Sequence, residues 1–223
     1  MTDDTIAAGK NGRKVSQYVI RRLPKYYRFL DEIAAEGEQK ISSFEMASRM
    51  KLTASQIRQD FNHFGGFGQQ GYGYDVIQLR GEIGKIIGVK NQNRAVLIGA
   101  GNLGKAVAMH LGYVDSGVQL TGVFDINPDL QNIDLCGIKI SLFTNENIAA
   151  FCKRERPTIA LLCIPKEATQ LVASTLISLG IKGFWNFSHY DISANFKDVF
   201  VEDVNLTDSL LTLAYNVNHN GDD

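Results

Sequence analysis

The segment from Arg94 to Leu111 constrains this chain more than any other. Ala95–Ile98 is a short apolar run, the pattern of a buried parallel strand. Gly99, Ala100, Gly101, Asn102, Leu103 and Gly104 follow and spell G-x-G-x-x-G, after which Leu103, Val107 and Leu111 recur at helical spacing. Strand, glycine turn and helix together are the context that gives this motif meaning. Gly99 allows the tight strand-to-helix turn, Gly101 lets the backbone approach a pyrophosphate, and Gly104 lets helix and strand pack closely. The helix N-terminus then offers free N–H groups and a favourable dipole to phosphate charge.

A second strand, Val118–Phe124, ends at Asp125, 21 residues beyond Gly104, close to the ~20 expected of the ribose-binding acid. A carboxylate there accepts hydrogen bonds from ribose hydroxyls and repels a 2′-phosphate. No arginine follows it in Ile126-Asn127-Pro128. The expected cofactors are NADH and NAD+ rather than their phosphorylated counterparts. The α/β alternation continues, with strands expected at Ile138–Ile140, Thr158–Ile164, Gly183–Phe187 and Val199–Val201 and helices at Asn145–Arg154 and Lys166–Leu179. Leu206, Leu210, Leu213 and Val217 form one stripe of a final helix that needs a partner surface.

The first part of the chain has a different character. Residues 1–90 hold 14 Lys+Arg against 10 Asp+Glu, net +4, whereas residues 91–223 hold 9 against 14, net −5. A basic unit ahead of a nucleotide-binding unit suggests an anionic macromolecular partner. Residues 1–14 read as a disordered polar tail. A helical pattern begins at Val15 and carries Val19, Leu23, Tyr26, Tyr27, Leu30 and Ile33, with Pro24 expected to kink or restart it. Two capping boxes follow, Ser42/Glu45 and Thr53/Gln56, opening helices Phe44–Met50 and Ala54–His63. Two short helices so joined read as a helix-turn-helix.

In the second of these helices Ala54, Ile57, Phe61 and Phe64 share one face. Ser55, Gln56, Arg58, Gln59, Asn62 and His63 remain on the other, side chains able to hold phosphates or read base edges. A polar face is by itself equally a solvated face. Gly65–Tyr74, rich in glycine with alternating aromatics including Tyr72, suits a small β-hairpin or a flexible linker; a hairpin there completes a winged-helix layout. Asp75–Val89 reads as a helix leading to the second unit. The N-terminus has no apolar signal core and no run has transmembrane length. Cys136, Cys152 and Cys163 have no metal or redox spacing, so no metal and a reducing cytoplasm are expected.

Taken together, these motifs resemble the Rex family of redox-sensing transcriptional repressors. The resemblance runs from about Val15 to Val217 and is carried by Ser42–Glu45, by Thr53–Phe61 with Phe64-Gly65, and by Gly71–Tyr74. In the second unit it is carried by Gly99–Gly104, Phe124-Asp125, Ile164-Pro165, Gly180–Gly183 and Val201–Val204. It implies a winged-helix DNA-binding domain (residues 1–90), a Rossmann doubly wound parallel sheet binding NAD(H) (91–204) and a C-terminal helix (205–223) exchanged in a homodimer. It also implies binding to a palindromic, inverted-repeat operator and release when NADH binds. By the same resemblance Pro165 belongs to the cofactor site, His110 and the partner subunit's Leu206 border the nicotinamide, and Arg28 and Asn205 carry the switch. Three positions depart from the family pattern. Gln69-Gln70 stand at the wing tip where a basic residue is frequent, His110 replaces a tyrosine, and Asn205 replaces an aspartate expected to pair with Arg28.

Two other classes fit parts of the chain. An NAD-dependent dehydrogenase would use His110 or Ser188-His189-Tyr190 as acid/base near the nicotinamide, but the chain leaves no substrate domain once residues 1–90 are assigned to DNA. A purely structural NAD-binding subunit would need neither helix-turn-helix nor wing. The expectation is a regulator with no catalytic residue.

Overall fold

The computed structural model describes residues 5–8, 14–65, 67, 73–113 and 116–219. The chain divides into two compact units, Met1–Lys90 and Asn91–Asp223.

In the first unit, strands β1 (Thr5–Ala8) and β2 (Lys14–Ser16) pair antiparallel, so part of the segment read as a tail has regular structure. The segment's polar composition gave no strand signal; the ordering comes from the pairing of two pieces of three and four residues. Helix α1 (Gln17–Ala35) runs unbroken through Pro24. Pro24 is exposed and forfeits one intrahelical hydrogen bond, whereas Val19, Leu23, Tyr26, Leu30 and Ile33 are all buried on the opposite stripe and outweigh it.

Strand β3 (Lys40–Ile41) leads into α2 (Ser43–Met50) and α3 (Ala54–Asn62). The Ser42 box forms in both directions: its hydroxyl accepts from the Glu45 N–H at 3.1 Å and the Glu45 carboxylate accepts from the Ser42 N–H at 2.9 Å. The Thr53 box is half made, its hydroxyl accepting from the Gln56 N–H at 3.2 Å. Lys51 closes α2 in the left-handed conformation, φ 55°. Among the described residues, strand β4 (Tyr74–Asp75) pairs antiparallel with β3, Ile41 opposite Tyr74. Gly66 and residues 68–72, including Gln70 and Tyr72, lie outside the described residues, so the described part of the expected hairpin is this outer strand. Helix α4 (Val76–Ile87) then packs on α1. Leu23, Tyr26, Ile33, Ile57, Phe61 and Ile83 meet in one core.

The second unit is a seven-stranded sheet in the order β11-β10-β9-β5-β6-β8-β7. Its strands are β5 (Asn93–Ile98), β6 (Val118–Asp125), β7 (Asp134–Leu135), β8 (Ile138–Leu142), β9 (Ile159–Leu162), β10 (Gly183–Asn186) and β11 (Phe200–Asp203). All neighbours run parallel except β7, which forms an antiparallel edge on β8. Without β7 this is the doubly wound order 3-2-1-4-5-6. Helices α5 (Asn102–Tyr113), α6 (Asn145–Glu155), α7 (Lys166–Ser178) and α8 (Ile192–Asn195) connect the strands. Alternate residues of β5 enter two separate cores: Val96 and Ile98 join Phe124, Phe151 and Leu162, while Ala95 and Leu97 join Val107, Val123 and Leu161. A strand buried on both faces must read as continuously apolar, which is what Ala95–Ile98 shows. The terminal helix α9 (Leu206–His219) is exposed at every residue. Among the described residues no helix is long and apolar enough to cross a membrane, and no group of acidic, histidine or cysteine side chains is placed to hold a metal.

Candidate functional site

Ligands of open α/β sheets bind beyond the carboxyl ends of the strands, where the strand order reverses. Here that point lies between β5 and β9, and the fingerprint occupies it. Gly99 sits at φ +94°, and a Cβ there would overlap the Cys163 carbonyl at the end of β9. A Cβ on Gly104 would overlap the Gly99 carbonyl. These two glycines therefore fix the turn and the approach of α5 to the sheet. Gly101 differs: a Cβ built there meets nothing within 4 Å. Its missing side chain leaves room on the open side of the loop, as the close approach of a pyrophosphate requires. Asn102 and Leu103 are also exposed, whereas Ala100 is fully buried.

Asp125, at the end of β6, turns its carboxylate toward this loop. One oxygen accepts from the Ala100 N–H at 2.6 Å and the other from the Asn127 N–H at 2.8 Å. The residue assigned to the ribose thus also ties down the loop assigned to the pyrophosphate, and Ala100 contributes through its backbone rather than its side chain. Ionised oxygens accept more than one hydrogen bond each, so capacity for a diol remains. The first-turn N–H groups of α5 have no partner within the helix. Pro165 starts α7, and its carbonyl accepts from the Thr169 hydroxyl at 3.0 Å. His110 is exposed in the last turn of α5. Beneath the loop, burial pushes the Cys163 thiol up to about 11, which keeps it neutral and inert at physiological pH.

A second candidate surface lies on α3. Ile57 and Phe61 are buried, while Ser55, Arg58, Gln59 and Asn62 are exposed and Gln56 and His63 half-buried, so the polar residues expected to face DNA do share the outward side. Arg58 reaches back to α2, donating to the Ser43 hydroxyl at 3.0 Å. Burial raises the Tyr74 hydroxyl above its ordinary value, and the nearby Arg58 charge acts in the opposite direction.

One residue of α3 escaped the sequence reading. Asp60 is 2 % exposed and accepts two hydrogen bonds from Arg22, at 2.6 and 2.7 Å, and one from the Tyr26 hydroxyl at 2.7 Å. This bidentate pair locks α3 onto α1, and burial with the Asp60 hydrogen bond raises the Tyr26 hydroxyl well beyond its ordinary range.

Of the residues expected to carry the switch, Arg28 is exposed on α1, and Asn205 precedes α9 as a cap. The Asn205 side chain accepts from the Thr207 N–H at 3.0 Å and donates to the Asp208 carboxylate at 2.8 Å. Asn205 also borders a polar cleft of about 320 Å³ with His189, Asp191, Asp203 and Asp208. Ser188, an acid/base candidate of the dehydrogenase reading, is buried and donates to Asn186 Oδ1 at 2.6 Å.

Comparison with known proteins joins the two halves. Residues 14–62 match the family described as putative DNA-binding protein N-terminus, and residues 90–190 match the CoA binding domain family. The redox-sensing transcriptional repressor Rex of Thermoanaerobacter pseudethanolicus is 45% identical over 205 residues, covering 92% of this chain and 90% of that protein. The chain belongs to the Rex family. The Rex protein of Clostridioides difficile is 47% identical over 206 residues, covering 91% of this chain and 95% of that one. Among solved structures, the Rex-family repressor RSP in complex with β-NAD+ and operator DNA superposes with TM-score 0.85 at 44% identity, covering 93% of this chain and 94% of its own. RSP in complex with β-NADH gives TM-score 0.83 at 41% identity, covering 93% and 96%. The expected fold class, a winged-helix domain followed by a Rossmann domain, therefore holds. The Rex relatives are named as transcriptional repressors, not as enzymes.

Proposed function

We propose that this chain is a homodimeric transcriptional repressor whose hold on an inverted-repeat operator is set by the NADH/NAD+ ratio. The observation that carries the reading is a pairing within one chain. An open loop at Gly101 beside Asp125 and a polar recognition helix stand on a frame like that of a repressor solved with NAD+ and operator DNA and again with NADH.

On this reading the N–H groups of Gly101–Gly104 and the α5 terminus hold the pyrophosphate, and Asp125 holds the adenosine ribose. Pro165, His110 and the partner subunit's Leu206 border the nicotinamide. Ser55, Gln56, Arg58, Gln59, Asn62 and His63 face the major groove, with Gln70 and Tyr72 on the wing. The helix α9, whose Leu206, Leu210, Leu213 and Val217 are between 58% and 65% exposed, packs in the partner subunit. The dinucleotide, when bound, supplies the signal itself: a nicotinamide that is cationic when oxidised and neutral when reduced. The protein is a regulator of the cytoplasm with no catalytic residue.

The test is a gel shift on an operator selected by the protein from a random pool, with NADH, NAD+ or neither, beside an assay of NADH oxidation with simple aldehydes and 2-keto acids. Release by NADH and not by NAD+, with no turnover, is expected. Equal release by both nucleotides removes redox sensing, and turnover restores the dehydrogenase reading.

A further inference from the structure

We propose that Ser43 is a positioning residue for Arg58, and that it commits this arginine to the DNA phosphate backbone rather than to a base edge. The inference rests on the reading of α3 as a recognition helix. Its observation is the hydrogen bond from Arg58 Nη1 to Ser43 Oγ at 3.0 Å, between the second helix of the motif and the first residue of the helix before it.

The chemistry of the partner decides what the bond is for. Three other arginines of this unit are neutralised by carboxylates: Arg22 by Asp60, Arg49 by Glu36 and Glu38, and Arg80 by Asp31. Arg58 forms no ion pair among the described residues; its guanidinium is fixed by a neutral hydroxyl. One of five N–H donors is used, the full positive charge remains, and four donors are left in a held orientation.

The direction of that hold matters. In a helix-turn-helix the second helix enters the major groove while the first crosses the backbone. An α3 arginine drawn back to the opening of α2 is carried away from the groove floor and toward the backbone. Ser43 itself is fixed by the reciprocal cap of Ser42 and Glu45 that starts the helix. The neighbouring Phe44 is 76% exposed, so that end of α2 is not covered by its own unit. Holding the guanidinium in the free protein spares rotamer entropy on binding. Base discrimination then falls to Gln59 and Asn62, whose side chains have no such tether among the described residues.

The test is a double-mutant cycle in the full-length protein, with two probes: the selected operator duplex and a duplex of unrelated sequence. Arg58→Ala is expected to weaken both by a similar factor, about tenfold or more for the loss of a charge-assisted bond, and to lower the salt slope by roughly one unit. Ser43→Ala is expected to weaken both probes about two- to fivefold, consistent with the entropy of one side chain, with no further loss when Arg58 is already alanine. Ser43→Thr, which keeps the hydroxyl, is expected to restore binding, while melting temperature separates these effects from misfolding. If the two losses multiply, Ser43 acts independently and the positioning role is wrong. If Arg58→Ala spares the unrelated duplex and lowers operator binding alone, Arg58 reads a base. If it changes neither probe, the recognition-helix reading itself fails.

Discussion

Replacing Asp125 by alanine separates two jobs that the structure assigns to one carboxylate. In the free protein its oxygens hold the Ala100 and Asn127 N–H groups at 2.6 and 2.8 Å; in the proposed complex they also accept from the ribose diol. A hydrogen bond to a charged acceptor nets about 1.5–3 kcal/mol. Because the site is part-exposed and the oxygens are shared with the loop, about 2–3 kcal/mol for the whole diol is the working figure, or roughly 30- to 150-fold in NADH affinity. For NADPH the balance runs the other way. A 2′-phosphate about 4 Å from a carboxylate is repelled by up to about 4 kcal/mol per pair of unit charges at an effective dielectric of 20, less after screening. Loss of Asp125 relieves this. Loosening of the loop, by contrast, harms both nucleotides alike, since both carry the same pyrophosphate. The expected result from calorimetry at neutral pH is therefore asymmetric: NADH weakened by one to two orders of magnitude, NADPH unchanged or tightened. An equal loss for both would mean that Asp125 acts only through the loop, and equal affinities in the unmodified protein would falsify the ribose assignment outright.

The second and third glycines of the fingerprint should part company in the same assay. Gly101→Ala, with nothing within 4 Å of the new methyl, should leave unfolding free energy within about 0.5 kcal/mol yet lose NADH affinity at least tenfold, whereas Gly104→Ala, whose methyl overlaps the Gly99 carbonyl, should lower thermal stability before any ligand is added. Asp60→Ala strands a guanidinium and a hydroxyl. With Arg22 21% exposed, urea unfolding of the first unit should show a loss near the lower end of the ~3–5 kcal/mol typical of a broken buried pair, while NADH binding persists; a loss under ~1 kcal/mol would show the pair to be incidental. Cys163, raised to about 11 by burial, favours the folded state through its neutral form. That contribution is complete below the ordinary thiol value and disappears as pH rises toward 11. Alkylation followed by mass spectrometry at pH 8 should accordingly modify the exposed Cys136 faster than the half-buried Cys163, and equally rapid labelling of Cys163 at that pH would contradict its raised value.

The legible parts of this molecule are those encoded over short stretches. Glycine spacing, the apolar run before it and the acid 21 residues on place the loop, and i, i+3 capping pairs place both short helices. What was missed depends on long-range partners. Asp60 finds Arg22 and Tyr26 38 and 34 positions away, although one signal was available: it falls on the same face as Ile57, Phe61 and Phe64, and an acid within an apolar stripe implies a buried cation. The second bond of Asp125, to Ala100, joins residues 25 apart and has no local signature. The pairing of β4 with β3, Ile41 opposite Tyr74, joins residues 33 positions apart and likewise has no local signature. Pro24 illustrates the reverse error, a strong local breaker overridden by five buried side chains on the opposite stripe.

The terminal helix connects the two functions on the proposed reading. Isolated helices of about 12–15 residues are marginal in water, and α9, with 14 residues and none buried, needs a second surface to persist. A ligand shifts a two-state protein only through differential affinity for its states, and NADH differs from NAD+ only at the nicotinamide. The discriminating contact must therefore be made by a segment that can be placed differently in the two states, and α9, with the partner subunit's Leu206 at its start, is such a segment. Its cap then becomes part of the energetics. Asn205 is already engaged by the Thr207 N–H and the Asp208 carboxylate, so any contact it makes with Arg28 competes with a cap worth about 1 kcal/mol. It also lacks the charge that would offset that competition. On the proposed reading, coupling routed through Asn205 is thus weaker by a factor of about five than coupling that left the cap intact, which favours a stable start to α9 over a strong link to Arg28.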